Sequence, residues 1–252
     1  MANELHLNVE TIATAHGLFS VDMVLDKKIG SCLQRGYYHQ EDTLLLLRHF
    51  ITPGSVVLDI GAHIGTLAIP LGKIAGKVIA FEPSPSTYAL LAMNIEQNQS
   101  TVEARKKGLG ASAGRASLEV RNSSNAGANT LAVGGGAIEV STLDAEVRDV
   151  DFIKIDVEGM ELSVFEGGRR LIEKEKPVIF CEINLFALRA HASSPRKIER
   201  FLRKLGYELY YPLLREKNGH MLGRIQNLEL VAACFAPRSW LLRRQSAPFY
   251  II

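Results

Sequence analysis

One segment limits the possible folds of this 252-residue chain more than any other: Val56-Val57-Leu58-Asp59-Ile60-Gly61-Ala62-His63-Ile64-Gly65. It begins as a short apolar run after Pro53-Gly54, which is typical of a strand buried on both faces. The run ends in an acid and a glycine-containing turn, and from Ile64 onward apolar residues recur at helical spacing. A strand, a glycine turn and a helix in this order place a binding crevice at the carboxyl end of the strand.

Short apolar runs alternate with helical patterns along the rest of the chain. This alternation predicts an α/β fold, with a largely parallel sheet and helices on both faces. The further strands are predicted at residues 77–81, 101–106, 152–155, 178–181, 207–211 and 228–235. We predict a single domain over residues 1–252, made of an N-terminal helical cap (residues 1–52) and a Rossmann-like core (residues 53–252).

Two segments have weaker patterns. In the first fifty residues only 42–51 show helical spacing, and the aromatic and polar cluster at 36–41 is interpreted as a surface loop, with substrate contact as the alternative. Residues 122–136 are rich in Gly, Ser, Asn and Ala, which predicts a flexible loop between hairpin strands at about 115–120 and 137–141. Loops of this length are either functional lids or simply mobile.

Composition and charge exclude several classes of protein. A hydrophobic content of 47%, a charged content of 22% and a net charge of +2 are typical of a globular chain without a polyanionic partner. The basic face predicted on a helix at 195–205 is interpreted as solvent-exposed rather than as a nucleic-acid interface, which would be more basic and contain interleaved aromatic residues. The three cysteines lack CxxC spacing, which fits a reducing compartment.

The chain ends and the hydropathy pattern bear on location and assembly. The start lacks the pattern of a secretory signal, and no apolar run approaches the roughly 20 residues that span a bilayer. We therefore predict a cytoplasmic protein without a membrane span. The apolar segment from Trp240 to Ile252 is expected to pack back on the domain, with a homodimer surface or a lipid contact as the alternatives.

Two residues separate the crevice from a dinucleotide site. The GxGxxG fingerprint needs its second glycine so that the backbone can approach a pyrophosphate, and this chain has His63 there. Asp59 places negative charge where a pyrophosphate would lie. S-adenosylmethionine has no phosphate and carries a positive ammonium and sulfonium. The side chain of His63 therefore does not obstruct it, and the negative charge of Asp59 favours it. Glu82, which ends the second strand, is placed to accept hydrogen bonds from the ribose hydroxyls of an adenosine cofactor, although NAD would use the same acid.

Carboxylates are expected to converge on the crevice. Asp156 and Glu158 follow the strand at 152–155, and Glu182 ends the next strand. Methyl transfer is an in-line displacement, so the protein mainly aligns the reactants, and an alcohol acceptor needs a general base. Crowded carboxylates raise each other's pKa, so we predict Asp156 or Glu182 as the base and Glu158 as the residue that orients the acceptor. Weaker candidates for the base are three loop histidines, His39, His63 and His191, and Arg189 is a candidate for contact with an anionic acceptor.

The same carboxylates permit other interpretations. Asp156, Glu158 and Glu182 are hard oxygen ligands that can hold Mg²⁺, an interpretation that we favour less. Glu161 is interpreted as an acid of a first helical turn, which complements the helix dipole. Because the fold does not fix the function, an NAD-type oxidoreductase and a non-catalytic cofactor-binding protein are the alternatives to a methyltransferase.

Four motifs in order resemble the FkbM family of methyltransferases: Asp59-Ile60-Gly61-Ala62-His63-Ile64-Gly65, Phe81-Glu82-Pro83-Ser84-Pro85, Thr142-Leu143-Asp144 and Ile153-Lys154-Ile155-Asp156-Val157-Glu158-Gly159-Met160-Glu161. The resemblance covers about residues 53–184. It implies a class I methyltransferase (Rossmann-like) fold with a seven-stranded, mostly parallel sheet whose last strand is antiparallel. It also implies transfer of a methyl group from S-adenosylmethionine to a hydroxyl of a sugar or small secondary metabolite.

The resemblance also assigns residues by position. The glycine turn would hold the methionine end of the cofactor, Glu82 the ribose, and the segment Gly108-Leu109-Gly110 would lie beside the adenine. The complete predicted cofactor site comprises Asp59, Gly61, Ala62, His63, Gly65, Glu82, Pro83, Gly108, Leu109 and Asp156. The partner implied is a small-molecule acceptor.

Overall fold

The computed structural model describes residues 8–121 and 124–210, together with the backbone of 230–237. The strands are β1 (Val9–Thr14), β2 (Gly17–Asp22), β3 (Val56–Ile60), β4 (Lys77–Phe81), β5 (Glu103–Arg105), β6 (Gly108–Leu109), β7 (Gly114–Glu119), β8 (Thr130–Val133), β9 (Ile138–Ser141), β10 (Phe152–Ile155), β11 (Val178–Asn184), β12 (Tyr207–Tyr210) and β13 (Leu230–Pro237). The helices are α1 (Lys27–Gln34), α2 (Glu41–Leu47), α3 (Ala68–Gly72), α4 (Pro85–Gln97), α5 (Leu143–Glu146), α6 (Glu161–Gly167), α7 (Arg169–Glu175), α8 (Leu185–Ala190) and α9 (Pro195–Lys204).

A seven-stranded sheet forms the centre of the structure. Its strand order is β12-β13-β11-β10-β3-β4-β5. Neighbouring strands from β11 to β5 are parallel, whereas β13 is antiparallel to both β11 and β12. The predicted sheet, mostly parallel with its last strand antiparallel, is therefore confirmed.

Helices cover both faces of this sheet. Successive side chains of a strand point to opposite faces, and in β4 the residues Val78 and Ala80 pack on one layer while Ile79 and Phe81 pack on the other. The first layer contains α2, α3 and α4, and the second contains α6, α7 and α9. A strand covered on both faces needs apolar residues at consecutive positions, which explains the continuous apolar runs in the sequence.

Helices α4 and α9 begin in the same way. In each, a serine precedes a proline at the first helical position, and the serine hydroxyl accepts a hydrogen bond from a backbone N–H of the first turn. In α9, Ile198 and Leu202 are buried and the basic residues are exposed. The predicted solvated basic face is therefore confirmed.

The N-terminal segment contains a β-hairpin, so the prediction of a helical cap is wrong for residues 9–22. Strands β1 and β2 pair in antiparallel register, and among the described residues before β3 only α1 and α2 are helical. The hairpin is held by α4, where Asn94 Oδ1 accepts from Ser20 N at 2.7 Å and Asn94 Nδ2 donates to Ser20 O at 3.1 Å. Because this contact joins residues far apart in sequence, the local pattern does not reveal it.

A second sheet, of four short strands in the order β6-β9-β7-β8, stands between β5 and β10 in the chain. The prediction of a flexible loop at 122–136 is wrong in part, because Ala126–Ala128 form a 3₁₀ turn and β8 pairs with β7. In β8 the two buried residues, Thr130 and Leu131, are consecutive, so the strand lacks the alternation by which a half-buried strand is recognised in sequence.

No helix in the described part of the chain is both long and apolar enough to cross a membrane. The prediction that residues 240–252 pack back on the domain concerns residues outside the described part.

Candidate active site

A cavity of about 440 Å³ lies at the carboxyl ends of β3, β4, β10 and β11. Its walls come from these strand ends, from the four-stranded sheet with residues 125–131, and from the N-terminal segment between residues 28 and 40. The cavity is lined by these predicted site residues: Asp59, Gly61, Ala62, His63, Glu82, Pro83, Gly108, Leu109, Asp156, Glu158 and Glu182.

Gly65 is the predicted cofactor residue that does not line this cavity. Its φ is +91°, and a Cβ there would lie 2.8 Å from Leu91 Cδ1 of α4. A side chain would be strained at this φ and would disturb the packing of the turn on the helix. Gly65 therefore shapes the turn, and its predicted contact with the cofactor stays a prediction.

The turn after β3 is built around Gly61. Its φ is +77°, and a Cβ at this position would lie 1.8 Å from the carbonyl oxygen of Asp156, so only glycine fits. The N–H groups of Gly61 and Ala62 both donate to Phe81 O at 3.0 Å. These contacts fix the turn to the ends of β4 and β10, on either side of β3.

A buried ion pair joins β3 to β10. The two strands are in a register that places Lys154 beside Asp59, and Lys154 Nζ lies 3.1 Å from Asp59 Oδ1. The same Nζ donates to Gly61 O at 3.0 Å. Neither side chain is appreciably exposed to solvent. Lys154 therefore holds both the acid and the turn in place.

Electrostatics favour the charged form of the lysine in this pair, whereas burial raises the pKa of Asp59 against the opposing charge of Lys154. Burial lowers the pKa of Lys154, but the carboxylates of Asp59, Asp156 and Glu182 together outweigh burial and hold that pKa above its ordinary value. Asp59 therefore faces an internal cation, a contact that the sequence interpretation missed. The signal was a lysine inside an otherwise apolar strand, which needs an acidic partner when it is buried.

Glu82 is held as a fixed hydrogen-bond acceptor. Its Oε1 accepts from Ser84 N at 2.9 Å and its Oε2 accepts from His63 N at 3.0 Å. Burial raises the pKa of Glu82, and these two amides and the His63 ring act in the opposite direction. Each carboxylate oxygen keeps a lone pair for a further donor.

His63 links the glycine turn to the N-terminal segment. Its φ is +53°, and its Nε2 lies 2.6 Å from Oδ2 of Asp26, which is buried just before α1. Burial lowers the pKa of His63, but Asp26 and Glu82 outweigh burial and raise it above its ordinary value. When protonated, the ring forms an ion pair with Asp26 that fastens the segment before α1 to the glycine turn.

This ion pair predicts a pH-dependent contribution to stability. Because the pKa of His63 is raised, the contribution is fully present below pH 6.5, the ordinary value, and is lost as the pH rises through the raised pKa. We expect Asp26→Asn to lower the free energy of unfolding by about 1.5 to 3 kcal/mol at pH 6. The difference from wild type should narrow towards pH 9 in urea unfolding monitored by circular dichroism. Asp149→Asn, at an exposed position, is the control. A difference in free energy of unfolding between Asp26→Asn and wild type that does not change with pH would contradict the ion pair.

Three acidic residues, Asp156, Glu158 and Glu182, form the wall of the cavity at the ends of β10 and β11. Asp156, just after β10, and Glu182, near the end of β11, line the cavity from adjacent strands. The charge of Asp156, followed by burial, raises the pKa of Glu182 to about 8. Burial, followed by the charges of Asp156 and Glu161, raises the pKa of Glu158 to about 8. Asn184 Nδ2 donates to Glu158 Oε2 at 3.1 Å and orients it. Glu158 and Glu182 can therefore hold protons near neutral pH and release them at a slightly higher pH.

Of the remaining residues considered from the sequence, Glu161, Arg189 and His191 lie outside the cavity lining. Glu161 accepts from the backbone N–H groups of Val157 and Gly159 and stabilises the turn before α6. His191 Nε2 lies 2.9 Å from Thr130 Oγ1, and neither His191 nor Arg189 lines the cavity. His39 does line it. Within the described residues, no three His, Cys, Asp or Glu side chains are grouped as a metal site requires.

The sheet topology and the cavity at the strand ends define the class I methyltransferase fold. The chain belongs to the FkbM methyltransferase family, because the model of the methyltransferase FkbM domain matches residues 59–209. It is therefore an S-adenosylmethionine-dependent methyltransferase. The NAD-type oxidoreductase is set aside.

One named protein and two solved structures are similar to this chain. The hexuronic acid methyltransferase AglP of Haloferax volcanii is 26% identical over 196 residues, which are 75% of this chain and 78% of that protein. The structure of an FkbM methyltransferase from Methylobacillus flagellatus KT matches with a TM-score of 0.50 at 18% identity, over 73% of this chain and 44% of that one. Trm5b of Pyrococcus abyssi matches with a TM-score of 0.51 at 13% identity, over 92% and 56%. The chain thus spans about half the length of these two structures, which share its fold.

Proposed function

We propose that this enzyme transfers the methyl group of S-adenosylmethionine to a hydroxyl oxygen of a sugar. The observation that carries the proposal is the pair of Asp156 and Glu182 on the cavity wall, where the charge of Asp156 raises the pKa of Glu182 to about 8. An alcohol must lose its proton when it is methylated, and a group with a pKa near the working pH is suited to take that proton. A sugar acceptor is supported by the relative named for a hexuronic acid.

The residues present fit S-adenosylmethionine. The fixed carboxylate of Glu82 can accept from two ribose hydroxyls. Gly108 and Leu109 would lie beside the adenine together with Pro83, and a Cβ at Gly108 would lie 2.5 Å from Leu131 Cδ1, so a side chain there would require Leu131 to shift. The turn from residue 61 to 63 would hold the methionine end.

The charges of the cavity also fit this donor. Lys154 pairs with Asp59. Asp156, beside this pair on the cavity wall, is a further acid that can face the positive ammonium or sulfonium of the donor. When bound, S-adenosylmethionine supplies an electrophilic methyl group on a sulfonium.

The carboxylate wall would serve the acceptor. Asp156 and Glu182 would take up the hydroxyl proton, and Glu158, oriented by Asn184, would accept a hydrogen bond from a neighbouring hydroxyl. The main task of the cavity is to hold the oxygen in line with the methyl group.

The test of this proposal is release of S-adenosylhomocysteine from S-adenosylmethionine, measured by liquid chromatography with a panel of glycosides. Release is expected to require a glycoside, to survive a chelating agent and to be lost in Asp156→Asn. Loss of activity on chelation would favour the Mg²⁺ interpretation. Release with a non-sugar alcohol and with none of the glycosides would contradict a sugar acceptor.

Glu82→Gln is expected to weaken donor binding by about 10- to 100-fold, because a hydrogen bond to a charged group contributes about 1.5 to 3 kcal/mol. The glutamine keeps one acceptor oxygen and turns the other into a donor that faces a backbone N–H. The dissociation constant of S-adenosylmethionine is measured by titration calorimetry. Glu103→Gln, at a strand position with a solvent-exposed carboxylate, is the control. Unchanged affinity in a folded Glu82→Gln protein would remove Glu82 from the donor site.

A further inference from the structure

The lysines that line the cavity differ in their partners. Within the part of the chain that the structure describes, three lysines contribute to the lining. Lys154 is paired with Asp59, and Lys107 lies within 3.0 Å of two glutamate carboxylates. Lys28, in the first turn of α1, is exposed, and among the described residues no carboxylate pairs with it. Its ammonium is therefore available to a ligand at the cavity mouth.

The described residues of the N-terminal segment that line the cavity with Lys28 include two polar side chains and no carboxylate. His39 and Gln40 line the cavity with it, and Nδ1 of His39 is buried without a hydrogen-bond partner. Burial, followed by the charges of His63 and Lys28, lowers the pKa of His39 to about 4, although Asp26 acts in the opposite direction. The ring is therefore neutral near pH 7, where it offers one N–H donor and one acceptor nitrogen. We name Lys28, His39 and Gln40 the N-terminal wall.

The cavity thus has two polar walls of opposite character. Asp156, Glu158 and Glu182 stand at the ends of β10 and β11 and repel an anionic group. The N-terminal wall, on elements before β3, offers an unpaired cation and neutral donors. An acceptor with one anionic group and several hydroxyls would be oriented by this difference, with the anion at the N-terminal wall and a hydroxyl at the carboxylates.

We propose that the N-terminal wall binds the carboxylate of an acidic sugar, so that the enzyme selects uronic acids over neutral sugars. This inference rests on the proposed function and adds the class of sugar and a residue, Lys28, that determines specificity. A carboxylate at Lys28 would gain a charge-assisted hydrogen bond that the hydroxymethyl group of a neutral hexose cannot match.

The test compares 4-nitrophenyl β-D-glucuronide with 4-nitrophenyl β-D-glucoside, which differ only in the carboxylate or hydroxymethyl group at C6. The wild-type enzyme is expected to have the higher kcat/KM for the glucuronide. Lys28→Met should reduce this preference by about tenfold or more, mainly through KM, and Lys28→Arg should keep most of it. The matched control is Lys27→Met, because Lys27 is exposed, next in sequence and absent from the cavity lining.

Several outcomes would overturn the inference. An unchanged preference in Lys28→Met would show that Lys28 does not read the acceptor. A weaker affinity for S-adenosylmethionine in Lys28→Met, with the preference unchanged, would assign Lys28 to the carboxylate of the donor. A higher kcat/KM for the glucoside 6-phosphate than for the glucuronide, lost in Lys28→Met, would assign the wall to a phosphate. If another glycoside of the panel is methylated and neither of these two is, the inference fails and the proposed function stands; if no glycoside is methylated, both fail.

Discussion

Replacing Glu182 by Gln is expected to lower kcat by about 100- to 10,000-fold, the usual contribution of general acid–base catalysis. The amide can donate to Asp156 as the protonated acid does, but it cannot exchange a proton with the acceptor. The wild-type kcat should rise with pH and level off above about pH 8, where the pair has lost its proton. Glu182→Gln should lose this dependence together with its activity.

The same substitution is expected to raise the thermal midpoint at pH 9. Since the pKa of Glu182 lies at about 8, above the ordinary 4.5, the folded state binds this proton more tightly than the unfolded chain does. The contribution of Glu182 to stability therefore decreases between about pH 4.5 and pH 8, and the neutral amide avoids that loss. Calorimetric melting at pH 5 and pH 9 measures the effect, with Glu199→Gln on α9 as the control. A folded, fully active Glu182→Gln enzyme would leave Asp156 as the sole candidate base.

Lys154→Met is expected to lower the free energy of unfolding by about 3 to 5 kcal/mol, because it leaves the carboxylate of Asp59 buried without its cation. It also removes the donor to Gly61 O, so the turn of the cofactor site should loosen. Urea unfolding monitored by circular dichroism gives the stability, and titration calorimetry gives the affinity for S-adenosylmethionine.

A double-substituted protein separates the pair from each residue alone. Adding Asp59→Asn to Lys154→Met removes both charges, so the combined loss should be smaller than the sum of the two single losses. Lys77→Met is the matched control, because Lys77 is a strand lysine paired with an acid at the surface, and it should cost less than about 1 kcal/mol. Additive losses at Asp59 and Lys154 would contradict the ion pair. Asp59→Ala alone is a poor test of donor binding, since it leaves Lys154 buried and unpaired.

The strands of the central sheet could be predicted closely from the sequence because burial on both faces leaves a continuous apolar run. The prediction for β4 coincides with the structure. β11 extends three residues beyond its predicted end at Cys181, because Glu182 and Asn184 continue the strand into the cavity, where polar side chains are tolerated. An apolar pattern therefore finds the core of a strand and misses the end that carries chemistry.

Contacts between distant segments could not be predicted in this way. The pair of His63 and Asp26 depends on how the N-terminal segment folds over the turn, and neither residue signals the other in sequence. In the N-terminal wall, His39 and Gln40 belong to the cluster at 36–41 for which substrate contact was the alternative interpretation. Lys28 was not singled out, because it lies in the segment for which the sequence pattern is weakest. Lys154 is different: it is visible within an apolar run, and a buried lysine needs an acidic partner, so the sequence signalled a pair that our interpretation did not draw.

The central claim is transfer of a methyl group to a sugar hydroxyl. Its most direct test is a reaction with S-adenosylmethionine carrying a ¹³C-labelled methyl group and 4-nitrophenyl β-D-glucuronide, followed by NMR of the product. We predict that the label appears as a methyl ether on a ring hydroxyl, in an amount equal to the S-adenosylhomocysteine released. A label on the carboxylate, which needs no general base, or no label on the sugar at all would contradict the account.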